Sequence, residues 1–453
     1  MSSKSVEMDM TTGNLCPKII KFAIPLIFTG ILQLLFNAAD LIIVGQFAPN
    51  PDFSVSAVGS TSSLVNLIVN VFMGLSVGAN VLMAKAFGSK DKELADRTLQ
   101  TSVLLSLICG VIVGLFGFSF ASIFLGWMGT PDNVIGLASV YLKIFFLGMP
   151  FNLLYNYGAA ILRSLGDTKR PLYYLFIAGF INVIGNIIFV AIFKMDVKGV
   201  AISTVISQFV SSLLILIALI RGNSFIKLNL KHIRLYKEET IQLIKIGVPA
   251  GIEGSVFSIS NVIIQSSINS FGEVSLAGNT AASNIEGFVY QAMAAIHYAA
   301  LAFTAQNVGA KNFQNIRKTL IYSIIITTII GLVLGGLVIA FAPFLINIYV
   351  HSPDSIAVGV TRLKFIVIPY FTCGIMDVLC GVIRGLGFSI APTVISFTGA
   401  CLFRIIWVFT IFKAMPSLEI LYISYPITWI LTSLIYIIFY FAIRKSVQYK
   451  MIR

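Results

Sequence analysis

The chain has 453 residues, of which 57% are hydrophobic and only 11% are charged, and its formal net charge is +13. A soluble globular protein carries about 25% charged residues, so the composition predicts an all-α membrane protein with many spans. Almost every Lys and Arg lies in a short loop or tail between apolar runs. That pattern is the topology signal of a membrane protein and argues against nucleic-acid binding.

Twelve apolar runs follow one another, each long enough for a span of about 20 residues and bounded by charges, Pro or Gly. The first six are expected at 20–47, 54–84, 98–127, 134–162, 171–193 and 199–221. The second six are expected at 241–271, 275–306, 317–350, 356–384, 392–414 and 418–443. The resulting domains are a tail 1–19, a first lobe 20–221, a linker 222–240, a second lobe 241–443 and a tail 444–453.

The two lobes are an internal repeat. The stretch 150–171 ends its apolar run in R-S-L-G and restarts at a proline, and 371–392 does the same with R-G-L-G after a shift of 221 residues. FGSK at 87–90 in the first half corresponds to VGAK at 308–311 in the second half. Because each half has an even number of spans, the halves should be related by an axis along the membrane normal.

Charge counts predict the orientation. The two tails, the linker and the loops on their side hold 24 Lys and Arg, against six in the other loops, which places both termini and the linker in the cytoplasm. No Walker motif or Gly-rich phosphate loop occurs in the cytoplasmic segments, so the energy source is expected to be an ion gradient. No nucleophile or metal motif points to an enzyme, and five cysteines without C-x-x-C spacing predict neither a disulfide framework nor a metal site.

Four acids are predicted inside spans, namely Asp40, Glu253, Glu286 and Asp377. A carboxylate at mid-bilayer costs about 2.5–3.5 kcal/mol on insertion scales, so each is a functional candidate. The alternative is an acid paired with a buried base, and Arg404 is the one base expected within a span. At most one acid is then explained by pairing. The repeat places Asp377 opposite Asn156, so only the second lobe carries charge at that depth.

Glu253 follows Pro249 by four residues. A proline inside a helix removes a backbone hydrogen bond and frees a carbonyl, which beside a carboxylate can bind Na⁺ or share a proton. The alternative is that Pro249 only kinks the helix. Pro25, its first-lobe counterpart, has no acid nearby, which favours a structural role for the proline itself.

Polar residues in the first lobe share helix faces. Asn37 and Asp40 are spaced i, i+3, Asn182 and Asn186 are spaced i, i+4, and Thr204 lies in span 6. They predict a cation or substrate cluster, or alternatively ordinary interhelical hydrogen bonds worth about 0.6 kcal/mol each. Further polar candidates for lining a cavity are Gln33, Asn156, Gln265, Asn284, Gln291 and Arg404.

The two six-span halves, the FNAADLIIVGQ of span 1 and the R-S-L-G-D-T-K-R-P end of span 4 with its R-G-L-G copy resemble the MATE (multidrug and toxic compound extrusion) family. The resemblance covers nearly the whole chain. It implies a V-shaped protein of twelve helices, with two six-helix bundles around a central cavity. It also implies export of organic cations in exchange for Na⁺ or H⁺.

The resemblance also assigns residues. It implies that Asp40 is the family's span 1 acid and that Glu253 and Asp377 form a second-lobe cation site. It likewise matches Asn182, Asn186 and Thr204 to a first-lobe cluster. Some family members have Asp at the position of Asn186, so this chain's amide favours the second-lobe acids, with Glu286 as a further candidate, as the coupling site.

We therefore expect a monomeric, multi-pass exporter in the inner or plasma membrane of a bacterium. Its substrates would be cationic or amphipathic drug-like molecules, its coupling ion Na⁺ or H⁺, and no other cofactor is expected. The alternative within the same broad fold is a flippase for lipid-linked precursors. Such a protein needs a cationic cavity, whereas four acids against one Arg in the spans favour cation export. An embedded enzyme and a channel are the remaining alternatives.

Overall fold

The computed structural model describes residues 7–222 and 225–452, and every membrane-spanning element in them is helical. The first half contains α1 (Leu15–Phe47), α2 (Pro51–Ser89), α3 (Lys92–Trp127), α4 (Asp132–Leu147), α5 (Met149–Ser164), α6 (Lys169–Asn186) and α7 (Val197–Arg221). A π-helix, Ile187–Ile192, continues α6. Residues 1–6 of the predicted first tail, 223–224 of the linker and 453 of the last tail lie outside the described residues.

The second half repeats this order. It contains α8 (Lys237–Asn269), α9 (Glu273–Gly309), α10 (Phe313–Ala340), α11 (Ala342–Asn347), α12 (Pro353–Val367), α13 (Tyr370–Gly385), α14 (Ile390–Ser396), α15 (Phe403–Trp407) and α16 (Leu418–Ile452). A π-helix, Phe397–Leu402, joins α14 to α15, and a second π-helix, Val408–Phe412, follows α15 and completes the span. The last helix, α16, ends at Ile452, nine residues past the predicted end of span 12.

Ten helices of the described residues are long and apolar enough to cross a membrane. Two more spans are bent pairs: α4 with α5, at 49°, and α12 with α13, at 44°. Counting each pair once gives the twelve predicted spans. Proline explains both bends, since Pro150 is in the first turn of α5 and Pro369 immediately precedes α13, and a proline nitrogen cannot donate to the preceding turn.

A glycine of a neighbouring helix packs closely against each bent span. In α3, a Cβ added to Gly114 would lie 2.8 Å from the backbone oxygen of Phe146, at the end of α4. In α10, a Cβ added to Gly335 would lie 2.9 Å from the backbone oxygen of Val367, at the end of α12. Both distances are shorter than real Cβ atoms show to neighbouring atoms. The two backbones therefore contact each other directly, as in helix pairs packed through small residues.

The repeated turn motifs adopt the same backbone conformation. Gly166 and Gly387, the glycines of R-S-L-G and R-G-L-G, have φ of 88° and 99°, the left-handed region in which glycine ends helices. Lys90 and Lys311, the last residues of FGSK and VGAK, have φ of 59° and 55°. The repeat read from the sequence is therefore present in the backbone as well.

The chain forms two compact units. The first consists of Phe28–Gly251 with the segment that ends at Asp9, and the second consists of Met10–Ile27 with the residues from Ile252 onward. Thus α1 and α8 each change unit two residues after their internal prolines, Pro25 and Pro249. The lobe boundaries at 20–221 and 241–443 stay a prediction.

Candidate cation and substrate sites

A chain of hydrogen bonds in the first unit begins at Asp40. Asn186 donates through Nδ2 to the Asp40 carboxylate, and also lies 3.4 Å from the side-chain oxygen of Asn182. Asn182 in turn donates to the Thr204 hydroxyl at 3.3 Å. The structure thus brings together one acid from α1, the two amides spaced i, i+4 on α6, and a hydroxyl from α7. Their role as a cation or substrate site stays a prediction.

Three other first-half candidates lie outside that chain. Asn37 and Gln33 are exposed on α1, and no described contact joins Asn37 to Asp40. Asn156 is buried, but its amide donates to the backbone and side-chain oxygens of Asn152 in its own helix, at 2.9 and 3.0 Å. The first unit therefore offers one carboxylate with a polar network around it.

Glu253 in the second unit is an ion-paired carboxylate. Its side chain is 10% exposed, and Arg384 of α13 forms a salt bridge with its Oε2. The Ser396 hydroxyl donates to Oε1 at 2.8 Å, and the Cys380 thiol lies 3.5 Å from the same oxygen. Since Arg384 already balances its charge, Glu253 is not the isolated acid that its position in a span predicts.

Asp377, one turn before Cys380 on α13, has no such base. The backbone oxygen of Asp377 accepts a hydrogen bond from His297 Nδ1 at 2.6 Å. Neither Asp377 nor Asp40 takes part in any ion pair of the described residues. The structure therefore leaves one intramembrane carboxylate in each unit without a basic partner within 4.0 Å.

Glu286 is held by a two-pronged salt bridge. Arg362 of α12 donates through Nε and Nη2 to the two carboxylate oxygens, each at 2.8 Å, and through Nη1 to Asn279 at 2.6 Å. Asn279 donates onward to Gln265 at 3.2 Å. This network links α8, α9 and α12, and it favours a structural function for Glu286. Asn284 is exposed and Gln291 half-buried, and no described contact places either beside the acids.

The prediction of a single base within the spans is wrong. Arg362 and Arg384 are each 5% exposed, although the charge count assigned them to the loops. The physical reason is that each forms a salt bridge with a buried acid of another helix, Arg362 with Glu286 and Arg384 with Glu253. Among the described residues the second unit therefore holds three buried arginines against three of the predicted acids, and the predicted count of four acids against one Arg is wrong.

Arg404, the base that was predicted, has no carboxylate partner. It is 3% exposed, and its Nε donates to the Thr428 hydroxyl at 3.0 Å. Its guanidinium carbon lies 4.3 Å from the ring centre of Tyr425 and 5.9 Å from that of Trp429. Among the described residues no acid lies within 4.0 Å of this side chain.

Several residues of these sites escaped sequence reasoning. The sequence offered a signal for Arg384, which is the arginine of the repeated R-G-L-G motif. Nothing in the pattern distinguishes His297, Asn279 or Ser396 from other polar residues in apolar helices, because their partners come from distant parts of the chain.

Two similar halves of six spans, each with an intramembrane carboxylate, are typical of secondary transporters. The comparison with known families agrees with this class. The MatE family model matches residues 25–188 and 249–410, one segment in each half. The chain therefore belongs to the MatE family.

Relatives and solved structures show the same similarity. The "Probable multidrug resistance protein YoeA" of Bacillus subtilis is 27% identical over 382 residues, 83% of this chain and 82% of YoeA. The "Probable multidrug resistance protein NorM" of Thermotoga maritima is 24% identical over 84% of this chain and 82% of its own. A crystal structure of "MATE in complex with MaL6" has a TM-score of 0.91 and 22% identity, over 99% of this chain and 100% of that one.

Proposed function

We propose that this protein exports cationic or amphipathic drug-like molecules in exchange for Na⁺ or H⁺, by alternating access. The observation that carries the proposal is the pair of membrane-embedded carboxylates, Asp40 and Asp377, that lack a basic partner among the described residues. Relatives at 24 and 27% identity are named as probable multidrug resistance proteins. Membership of the MatE family supports transport rather than catalysis.

The coupling would take place at Asp377. An ionised carboxylate in the membrane costs about 2.5–3.5 kcal/mol on insertion scales, and binding of Na⁺ or a proton removes that charge. A cationic substrate competes for the same charge, so arrival of the ion on one side releases the substrate there. Reciprocal linkage of two ligands through one site suffices to couple their flows.

Glu253 would support this site indirectly. Its salt bridge to Arg384 holds α8 against α13, the helix that carries Asp377. The Asp40 chain in the first unit would bind a cation or substrate of its own, with amides supplying neutral oxygen ligands.

The proposal also includes the membrane and the orientation of the protein in it. We place the protein as a monomer in the inner or plasma membrane of a bacterium, with both termini and the 222–240 linker in the cytoplasm, because Lys and Arg are concentrated there. In that orientation an inward gradient of Na⁺ or protons drives export. Na⁺ or H⁺ is transported cargo here, and we propose no further cofactor and no enzymatic step.

The test uses everted membrane vesicles loaded with Na⁺ or with protons in separate assays, and it follows ethidium uptake by fluorescence. Wild type should accumulate ethidium under one of the two gradients. Asp377→Asn should abolish gradient-driven uptake, and Glu253→Gln should reduce it. Glu273→Gln, an exposed acid in the first turn of α9, is the matched control. Undiminished uptake in both Asp377→Asn and Glu253→Gln would refute the mechanism.

The flippase alternative is less well supported. Its requirement is a strongly cationic cavity, whereas in the described part of the second unit Glu253, Glu286 and Asp377 offset the three buried arginines. The names of the relatives refer to drug resistance. Transport of a lipid-linked pyrophosphate in reconstituted vesicles, without ethidium transport, would reverse this preference.

A further inference from the structure

The linker between the two halves is anchored at both ends to the rest of the first unit. Ile226 and Leu228 are 3% and 2% exposed and belong to an apolar core of that unit. The Leu228 amide donates to the backbone oxygen of Leu219 at 2.9 Å, and the Tyr236 amide donates to the Thr101 hydroxyl at 3.2 Å. The residues between these anchors are therefore held against α3 and α7.

A cavity of about 980 Å³, the linker cavity, lies where the linker meets α3 and α7. Its lining includes three permanent cations, one histidine, one carboxylate and one buried amide, namely Lys227, Lys231, Arg234, His232, Asp96 and Gln100. Among the described residues, no acid lies within 4.0 Å of any of the three cations. Three cations against one carboxylate make this cavity basic.

The three cations can donate to an anion in the cavity. Lys227, Lys231 and Arg234 are all exposed. The guanidinium carbon of Arg234 lies 4.5 Å from the ring centre of Tyr236, so the ring covers one face of the guanidinium and the N–H groups along its edge point away from the ring. Two ammonium groups and one planar guanidinium are a set of donors that suits a phosphate group.

Gln100 adds an acceptor to these donors. It is 2% exposed, and its Nε2 donates to the Asp96 carboxylate at 2.7 Å. Its Oε1 is buried and has no hydrogen-bond partner among the described residues. Since an unpaired buried acceptor is unfavourable, the cavity favours a ligand that carries a hydroxyl group close to its anionic group.

Two features favour a lipid over a soluble phosphate. The linker joins α7 and α8, which are both long and apolar enough to cross a membrane, so it lies at the membrane surface. Leu230, which lines the cavity, and Leu235 are 55% and 43% exposed, as in segments that bury apolar side chains among lipids. Residues 221–237 contain five Lys and Arg and no Asp or Glu, a pattern typical of segments that bind anionic lipid headgroups.

We propose that the linker cavity binds the headgroup of an anionic phospholipid that carries hydroxyl groups, of the phosphatidylglycerol type. The phosphate accepts hydrogen bonds from Lys227, Lys231 and Arg234, and a headgroup hydroxyl donates to Gln100 Oε1. The acyl chains extend past Leu230 into the bilayer. This inference goes beyond the proposed function and involves no residue of the cation and substrate sites.

The experiment measures lipid binding to the delipidated full-length protein by native mass spectrometry in detergent. Dioleoylphosphatidylglycerol should bind more tightly than dioleoylphosphatidylethanolamine, whose headgroup has no net charge. The variant with Lys227→Gln, Lys231→Gln and Arg234→Gln should weaken binding of phosphatidylglycerol by about tenfold or more, because each cation near a lipid headgroup contributes about fivefold. Its binding of phosphatidylethanolamine should not change.

The matched control removes three exposed cations that do not line this cavity, through Lys311→Gln, Arg317→Gln and Lys318→Gln. It has the same net charge as the linker variant and should bind phosphatidylglycerol as wild type does. Dioleoylphosphatidylmethanol, which has the phosphodiester but no hydroxyl group, should bind wild type more weakly than phosphatidylglycerol. If the linker variant does not fold, Lys231→Gln alone carries the test, with an expected loss of about fivefold.

The opposite results would overturn the inference. Unchanged affinity for phosphatidylglycerol in the linker variant, or an equal loss in the control variant, would show that the cavity is not the lipid site. Displacement of the lipid by soluble glycerol phosphate would assign the cavity to a soluble anion. Equal binding of phosphatidylglycerol and phosphatidylmethanol would overturn the hydroxyl contact with Gln100. Because these measurements need no gradient and no drug, their failure is distinct from a failure of ethidium transport.

Discussion

Removing one partner of the Glu286–Arg362 salt bridge should mainly lower the stability of the protein, because the pair has a structural function and not a coupling function. Both side chains are nearly enclosed, with 8% and 6% exposure. In Glu286→Gln the guanidinium would face an amide nitrogen in place of one carboxylate oxygen, and its charge would be unbalanced. Breaking a buried pair from one side costs about 3–5 kcal/mol.

The assay is thermal unfolding of purified protein in detergent. On the scaling for 150–250 residues, near the size of one unit, that loss corresponds to a fall in Tm of roughly 6–20 °C. The matched control is Glu93→Gln, which removes an i, i+4 pair to Arg97 whose side chains are 73% and 41% exposed. An exposed pair contributes about 0–1 kcal/mol, so its Tm should hardly change.

A double variant separates the pair from the acid itself. Glu286→Gln combined with Arg362→Gln removes both charges and leaves two amides that can hydrogen-bond each other and Asn279. Its Tm should lie above that of either single variant, and ethidium efflux per folded molecule should be close to wild type. A Tm unchanged in Glu286→Gln would refute the energetic reasoning. Efflux lost in the double variant at normal folded yield would restore Glu286 as a coupling residue.

Three further outcomes are expected. Asp40→Asn should lower ethidium efflux at normal folded yield, because an amide preserves the hydrogen bond to α6 but cannot bind a cation as an acid does; an unchanged rate would contradict a role for Asp40. Gly110→Ala should cost about 1–3 kcal/mol by overpacking, since its Cβ would collide with the backbone of α5, whereas Gly126→Ala in the same helix meets nothing within 4 Å; equal Tm values would contradict this. Lys90→Gly and Lys311→Gly should each raise stability by about 1 kcal/mol, because glycine adopts positive φ without strain, and a lower Tm would show that the lysine side chain matters more.

The sequence was sufficient for the plan of the fold. Twelve spans and two halves followed from hydropathy, charged loops and the repeated R-x-L-G and G-x-K motifs, because these signals are local and each half supplies a second copy. Even the position of the helix-ending glycines was predictable, since only glycine adopts their φ at little cost. The hydrogen-bonded grouping of Asp40, Asn182, Asn186 and Thr204 followed partly from helical spacing.

The pairing of charges could not be predicted in this way. Glu253 meets Arg384 across 131 residues of chain and Glu286 meets Arg362 across 76, and spacing within a helix says nothing about such distances. The count of loop cations treated Arg362 and Arg384 as loop residues. In the structure both lie in α12 and α13, inside the span predicted at 356–384, and they neutralise Glu286 and Glu253.

The glycines that pack against the two bent spans are shared by both halves of the chain, whereas the residues they contact are not. Opposite the glycines Gly110 and Gly331, which are related by the 221-residue shift, stand different residues, Pro150 and Phe371. The glycine is thus the same in both halves, while the residue whose backbone it contacts differs. Close approach of two backbones requires a missing side chain on the glycine's helix and leaves the side chain of the facing residue free to vary.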